Sequence, residues 1–194
     1  MTYTENFREP DGVLLVRTYQ PQDQAAVTHL YTAGLLLGQI APNDTGADVE
    51  NISEAYLTDP RNHFWIAQLN QSVVGMIGVA AEENNTAEVR RLRVDKAFQD
   101  TTIVSKLIET AINHCRRHGY LKVVFDTHFE HSMTVNIFTH FGFHHTRTKN
   151  YHGRDALEFY LDLYSRGKSA NESCLPLFPL IFLFFRLPAP KMTL

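Results

Sequence analysis

The stretch of this sequence best suited to chemistry runs from a strand, through a turn, into a long helix between residues 86 and 118. The helix is predicted from about 102 to 118, because its apolar residues recur three and four positions apart and Gly119 can end it. The turn ahead of it consists of Gln99, Asp100, Thr101 and Thr102. The first turn of a helix presents free backbone N–H groups and the positive end of the helix dipole. The pattern therefore predicts an anion site there, with a phosphate as the anion.

The segment from Val94 to Val104, VDKAFQDTTIV, resembles the acyl-CoA pyrophosphate loop of the GNAT acetyltransferase superfamily, V-x-x-x-x-[QR]-x-x-G-x-[GA]. The valine and the glutamine match, and the isoleucine falls on a position that the pattern leaves open. Thr102 and Val104 stand where the family has small residues, and a Cβ at such a position is expected to take up ligand space. The resemblance implies that the pyrophosphate of acetyl-CoA meets Gln99, Asp100, Thr101, Thr102, Ile103 and Val104.

The strand before this loop, predicted over 87–94, carries further groups that the resemblance assigns to the cofactor. In the family this strand splays away from the next one, which frees its main chain to bind the cofactor as an added strand would. The implied backbone partners, including the donor to the oxyanion, are Leu92, Arg93 and Val94. The alternative is that these backbone groups pair with the neighbouring strand of the sheet in the ordinary way.

Glu88 is the candidate general base. It lies eleven residues before Gln99. By resemblance, this spacing matches the glutamate with which some protein-lysine acetyltransferases deprotonate the amine, directly or through water. An amine must be neutral to attack a thioester, so a base beside the acceptor promotes the reaction. The alternative is that Glu88 pairs with a neighbouring arginine such as Arg90.

Phe138 occupies the position at which many family members carry a tyrosine that protonates the leaving thiolate. It lies in the segment IFTHFGF, which resembles the family signature L-Y-x-x-x-G-F. Phenylalanine has no proton to donate. His131 falls where the family often has asparagine, so the resemblance places His131 and Phe138 at the cofactor. His131 or Tyr151 can serve as the acid, or the thiolate can leave without one.

Ten histidines raise the question of a metal site. His114 and His118 stand four residues apart on one predicted helix, as two ligands can. Arg116 and Arg117 lie between them, and their positive charges disfavour a nearby metal ion. We therefore expect no metal, and we interpret the histidines as solvated helix and loop residues.

The predicted elements form one domain over residues 13–164, preceded by a polar segment, 1–12. Strands are predicted over 13–20, 63–69, 72–81, 87–94, 121–127, 143–151 and 156–164, and helices over 23–38, 48–58, 102–118 and 133–141. The connection Asn70-Gln71 indicates an antiparallel hairpin. The element order resembles that of GNAT proteins. It implies an α/β (α+β) fold with a mixed, mostly antiparallel sheet of about seven strands and helices on both faces.

The composition narrows the class of partner. The formal net charge is −3 over 194 residues, and no basic stripe dominates the sequence. A nucleic-acid partner is therefore not expected. Two cysteines, Cys115 and Cys174, make no disulfide framework and fit a reducing compartment. The N-terminal segment has no apolar signal region, and a cytoplasmic location is expected.

These features predict an N-acetyltransferase that transfers an acetyl group from acetyl-CoA to an amine of a small molecule or a protein. The alternative is a GNAT-fold protein without catalysis, acting as an acyl-CoA-binding or dimeric interaction module. Thr102, Val104 and Phe138 favour that alternative. The acceptor would be selected by the loop at 39–48, the second helix and the loop around Gly153, because loops carry specificity in such folds.

Residues 165–194 differ in character from the domain. The first part, 165–173, has the composition of a linker. The segment Leu175–Leu187, LPLFPLIFLFFRL, is apolar but contains Pro176 and Pro179, and it is shorter than the roughly 20 residues that a membrane-spanning helix needs. We expect this tail to dock on the domain or on a second copy, giving a homodimer, rather than to contact a membrane.

Deletion of residues 170–194 should change the oligomeric state or the solubility, because an apolar segment of this size promotes association when it is left uncovered. Sedimentation velocity of the full and truncated chains measures the effect. Equal sedimentation coefficients and equal solubility would contradict docking of the tail.

Overall fold

The computed structural model describes residues 12–33, 44–98, 101–128, 132–151 and 154–164. The strands are β1 (Leu14–Thr18), β2 (His63–Leu69), β3 (Ser72–Glu82), β4 (Thr86–Val94), β5 (Lys122–His128), β6 (His144–Tyr151) and β7 (Arg154–Asp162). The helices are α1 (Gln24–Ala33), α2 (Ala47–Glu50), α3 (Ile52–Leu57), α4 (Thr101–Arg117) and α5 (Ser132–His140), with 3₁₀ turns at Pro21–Asp23 and Lys96–Phe98.

The seven strands form one sheet in the order β1-β2-β3-β4-β5-β7-β6. Only β4 and β5 run parallel to each other, and every other neighbouring pair is antiparallel. Asn70, at a φ of 56°, turns the predicted hairpin between β2 and β3. The α/β fold class, with its mixed and mostly antiparallel sheet, is therefore confirmed.

Each face of the sheet is covered by its own helices. On one face the apolar stripe of α4 packs against the sheet. Its buried members are Ile103, Val104, Leu107, Ile108, Ala111, Ile112 and Cys115. On the opposite face, residues of α1, α2 and α3 pack on Phe64, Ile66 and Met76. Because side chains alternate along a strand, neighbouring residues of β4 face different helices.

The end of α4 explains how the chain returns to the sheet. Gly119 has a φ of +73°, which glycine adopts at little cost. Its N–H donates to the carbonyl of Arg116, and the N–H of Tyr120 donates to the carbonyl of Cys115. This pair of bonds satisfies carbonyls that the helix leaves unpaired, as the sequence predicts for a glycine at this position.

Two local predictions are wrong. The single helix expected over 48–58 is two short helices, because Asn51 leaves the helical region at φ −133° and ψ 60°. The sequence also suggests Asp23 as the N-cap of the first helix, but the structure has a 3₁₀ turn there, Pro21–Asp23, that is capped by Gln20. The Asp23 carboxylate instead accepts the Gln20 N–H at 2.8 Å and binds Arg17. Residues 34–38 of the predicted first helix and the segments 1–11 and 165–194 lie outside the described residues.

No helix in the described part of the chain is both long enough and apolar enough to cross a membrane.

The prediction of solvated histidines is wrong for His114, whose side chain packs on the face of the sheet that α4 covers. His114 is 4% exposed, and its Nε2–H donates to the carbonyl of Arg61 at 2.8 Å. The rings of His63, Trp65 and His118 lie 4.0–5.4 Å from its ring, centroid to centroid. Burial lowers the pKa of His114 to about 4, and the positive charge of His118 works in the same direction. The hydrogen bond to Arg61 opposes this shift without offsetting it.

Neutral His114 makes the folded chain sensitive to acid. Between about pH 6.5 and pH 4 the unfolded chain takes up a proton at this histidine and the folded chain does not, so stability falls as the pH falls. His114→Gln keeps a donor for Arg61 and removes the titration. On acidification the free energy of unfolding of this variant should fall by about 1–2 kcal/mol less than that of the unsubstituted chain, as measured by urea unfolding. An unchanged slope of stability against pH would contradict the assignment.

Candidate functional site

The sheet opens between β4 and β5. These two strands pair only at Thr86, Ala87 and Glu88, opposite Lys122, Val123 and Val124. Beyond Glu88 no pairing with β5 is found among the described residues, while β4 continues to Val94 along β3. The separation expected from the family resemblance is therefore present, and it leaves one backbone edge of β4 unpaired.

Alternation along β4 decides which groups face this open edge. The N–H of Asp95 donates to the carbonyl of Val74 on β3 at 2.9 Å. Arg93 is paired with Met76, which is also on β3. The N–H and C=O groups of one residue point to the same side of a strand, and those of the next residue point to the opposite side. Leu92 and Val94 therefore direct these groups away from β3, toward the open edge, whereas the backbone groups of Arg93 face β3.

A bulge places these residues. The register between β3 and β4 shifts between Met76 and Gly78, and Arg91 has a φ of +58°, a conformation costly for a residue with a side chain. Four hydrogen bonds hold the Arg91 guanidinium. Its Nε and Nη2 donate to Asp48 at 2.9 and 2.6 Å, and its Nη1 and Nη2 donate to Asp44.

This ion cluster ties α2 and the segment before it to the bulge. The Tyr56 hydroxyl donates to Asp48 at 2.6 Å. Its ring lies so close to β3 that a Cβ on Gly78 would come within 2.9 Å of it. Burial acts to raise the pKa of the Asp48 carboxyl, but the hydrogen bonds from Arg91 and Tyr56 outweigh burial and lower it overall. The cluster therefore stays ionised.

Glu88 lies at the point where the two strands separate. It is opposite Ala80, on the face covered by α1, α2 and α3, and its side chain is 26% exposed. Its Oε2 accepts a hydrogen bond from the Nε of Arg90 at 2.6 Å, and Arg90 also binds Glu82 at 2.8 Å. The pairing with Arg90 that stood as the alternative is thus observed. Glu88 Oε1 has no hydrogen-bond partner among the described residues, and the role of base stays a prediction.

The two bulky residues that the sequence places at the predicted phosphate seat lie in different environments at the start of α4. The helix begins at Thr101. Ile103 and Val104 are 0% and 1% exposed and pack in the core beneath the helix, and Thr102 is exposed. Val104 therefore directs its side chain into the core, and the expectation that Thr102 and Val104 take up ligand space stays a prediction. Gln99 and Asp100 lie outside the described residues.

Phe138 is a core residue. It is fully buried, its ring stacks on Phe125 with centroids 3.9 Å apart, and the edge of Phe143 meets it at 5.0 Å. Its contact with a cofactor stays a prediction. His131, the other position assigned to this region, lies outside the described residues.

Among the residues that the structure describes, no group of three or more His, Cys, Asp or Glu side chains is arranged to hold a metal ion.

Comparison with known proteins decides the family. Residues 26–143 match the model of the acetyltransferase (GNAT) family. The chain belongs to this family. The match covers α1 to α5, so it includes the open edge of β4 and the start of α4.

Curated relatives of this GNAT chain are N-acetyltransferases by name. The N-acetylaspartate synthetase of Mus musculus is 28% identical over 133 residues, which are 68% of this chain and 44% of that protein. The human N-acetyltransferase 8 is 31% identical over 85 residues, 41% of this chain and 37% of that protein. The chain therefore spans less than half the length of these two relatives.

Solved structures agree on the fold. A GNAT-family acetyltransferase from Staphylococcus aureus Mu50 has a TM-score of 0.68 at 21% identity, covering 78% of this chain and 99% of that one. The protein yncA from Salmonella typhimurium, solved with its cofactor acetyl-CoA, has a TM-score of 0.67 at 20% identity and covers 82% of this chain and 99% of that one. At such identities the likeness shows the fold alone.

Sequence reasoning missed two features of this site. The first is the binding of Arg91 to Asp44 and Asp48, which are more than forty residues away in the chain. The second is the buried side chain of Arg93. Their signal is the run Arg90-Arg91-Leu92-Arg93 inside a largely buried strand, because a charged residue in such a strand needs a partner.

Val104→Ala restores a residue that the family loop pattern allows and tests the geometry at the start of α4. The side chain lies in the core, so the substitution should lower the free energy of unfolding by about 1–2 kcal/mol. The dissociation constant of coenzyme A, measured by calorimetry, should stay within about threefold. Ile112→Val, two turns along the same face, is the control for a loss of packing alone. Tighter binding by Val104→Ala only would show that the valine obstructs the seat.

Proposed function

We propose that this chain transfers an acetyl group from acetyl-CoA to a primary amine. The observation that carries the proposal is the unpaired edge of β4, which offers the backbone groups of Leu92 and Val94 and leads to the start of α4. An extended ligand can pair with such an edge as a further strand does. The free N–H groups of the first turn of α4 suit a phosphate at its far end. Membership of the GNAT family supports the same assignment.

The residues have complementary tasks. Acetyl-CoA, when bound, supplies the acetyl thioester. The N–H of Leu92 or Val94 donates to the carbonyl oxygen as negative charge develops on it. Glu88, through Oε1, accepts a proton from the attacking amine, directly or through one water molecule. Holding amine and thioester together is a large part of the acceleration. Because Phe138 has no hydroxyl, the thiolate leaves without help from that position.

The names of the relatives favour a small amine as the acceptor. One is named for the synthesis of N-acetylaspartate, an amino acid acetylated on its amine. The matched part of the chain spans only 44% of that protein, so the assignment of a small amine as the acceptor of this chain belongs to the proposal. A protein amine, a cytoplasmic location and a homodimer stay predictions.

A noncatalytic acyl-CoA-binding module is the competing function, and the buried Phe138 favours it. Thermal unfolding with acetyl-CoA, combined with product detection by mass spectrometry over a panel of primary amines, separates the two. At a hundredfold excess over the dissociation constant, a ligand stabilises the folded state by about 2.7 kcal/mol. Stabilisation with acetylated amine and free coenzyme A supports the transferase. Stabilisation without any product supports the module, and no stabilisation contradicts both.

Glu88→Gln should lower the turnover number by about 10²-fold or more, because an amide cannot accept the proton of the amine. Coenzyme A affinity should stay within about threefold, since Glu88 lies away from the start of α4.

Glu82→Gln is the matched control, because Glu82 is the other carboxylate bound to Arg90. It should keep nearly full turnover. Equal losses in the two variants would assign the effect to Arg90, and unchanged turnover in Glu88→Gln would remove Glu88 as the base.

A further inference from the structure

Arg93 is a buried cation without a counter-charge among the residues that the structure describes. It is 5% exposed, and within those residues its one hydrogen bond is from Nη1 to the carbonyl of Leu92 at 2.9 Å. In the same part of the chain its Nε has no hydrogen-bond partner, and no carboxylate lies within salt-bridge distance of it. A buried charge left unpaired is strongly unfavourable. The position is therefore explained better by a ligand than by folding stability.

The other arginines of β4 show how different Arg93 is. Arg90 is paired with Glu82 and Glu88, and Arg91 is held by two aspartates. Burial lowers the pKa of Arg93, and the positive charge of Arg91 adds to that shift. Asp44 acts in the opposite direction, but its two oxygens are already bound by Arg91. The local charge therefore favours an added anion.

The guanidinium of Arg93 lies at the open edge of β4. It donates to Leu92, whose carbonyl points away from β3 into the gap that β5 leaves. The residue is opposite Met76, which belongs to the face covered by α1, α2 and α3. The core of α4 lies on the other face. Arg93 is thus placed at the gap, on the same face as Glu88, and is not directed at the predicted phosphate seat.

A carboxylate fits these donors. The Nε and one Nη of an arginine form a planar fork that matches the two oxygens of a carboxylate. An amine that carries a carboxylate nearby would have that group fixed by Arg93, with its nitrogen left at the gap where Glu88 lies. Fixing one end of the acceptor in this way lowers the entropic barrier to attack.

We propose that the side chain of Arg93 binds a carboxylate of the acceptor, so that the substrate is an amino acid or another amine bearing a carboxylate. This inference rests on the proposed function for the identity of the ligand as an acceptor. Binding of the carboxylate itself requires no turnover.

The test is calorimetry on the full chain saturated with coenzyme A, titrated with each of the common amino acids and with its carboxamide. At least one amino acid should bind about tenfold or more tightly than its amide. Arg93→Met should weaken that binding by about 30-fold or more and leave the amide within threefold, as expected for loss of a charge-assisted hydrogen bond. Arg116→Met, at the far end of α4, is the matched control and should leave both unchanged.

Stability distinguishes this role from a structural one. Arg93→Met replaces an unpaired buried charge by an apolar chain, so its unfolding midpoint should stay unchanged or rise. Arg93→Lys keeps the charge but not the fork, so it should bind the amino acid with an intermediate affinity. If Arg93→Met does not fold, the binding measurement is made with Arg93→Lys.

The outcomes separate this inference from the proposed function. An amino acid that binds through Arg93 but is never acetylated would sink the transferase proposal and keep the carboxylate site. Acetylation of amines with no preference for a carboxylate, or an equal loss with acid and amide, would overturn the site and keep the transferase. Loss of coenzyme A affinity in Arg93→Met, or no amino acid bound at all, also overturns it.

Discussion

The binding of Arg91 by Asp44 and Asp48 is the interaction on which the site depends. A residue with a side chain at a φ of +58° costs about 1–3 kcal/mol and persists only where its surroundings hold it. Here four hydrogen bonds between charged groups provide that hold. Each is partly shielded from water, so each contributes more than a surface ion pair does. The bulge at Arg91 is thereby fixed, and with it the direction of the residues that follow.

Strand β4 has two faces covered by different helices and, beyond Glu88, one edge without pairing to β5 among the described residues. Leu92 and Val94 turn their side chains into the core beneath α4 and their backbone groups toward the gap. Glu88 and Arg93 lie on the opposite face, beneath α1, α2 and α3. Cofactor and acceptor can therefore approach one gap from two sides, and the amine can meet the thioester without either group crossing the sheet.

The sequence predicts the frame of this molecule well. Period-two and period-three-to-four patterns locate the hairpin at Asn70 and the amphipathic α4, because burial of one face dominates both elements. Gly119 marks the end of α4, since few other residues tolerate its backbone conformation. The family resemblance in the loop before α4 supplied the fold class, which periodicity alone would not.

Long-range contacts are what the sequence does not reveal. No local pattern shows that Asp44 and Asp48 meet Arg91, and Asn51 gives no signal strong enough to split a helix. The apolar periodicity predicts Val104 on the buried stripe of α4, where it lies with Ile103 and Leu107, but this pattern does not tell how close its Cβ comes to a bound phosphate. The pairing of Glu88 with Arg90, which the sequence left open as an alternative, is observed, and the role of Glu88 as base stays a prediction.

The central claim is that the unpaired edge of β4 is the seat of acetyl-CoA, and a crystal structure of the chain with coenzyme A tests it most directly. We expect the pantetheine arm to hydrogen-bond with the backbone of Leu92 and Val94, and the diphosphate to lie against the first turn of α4. Coenzyme A bound elsewhere, or β5 closed onto β4 beyond Glu88 in the crystal, would contradict the account.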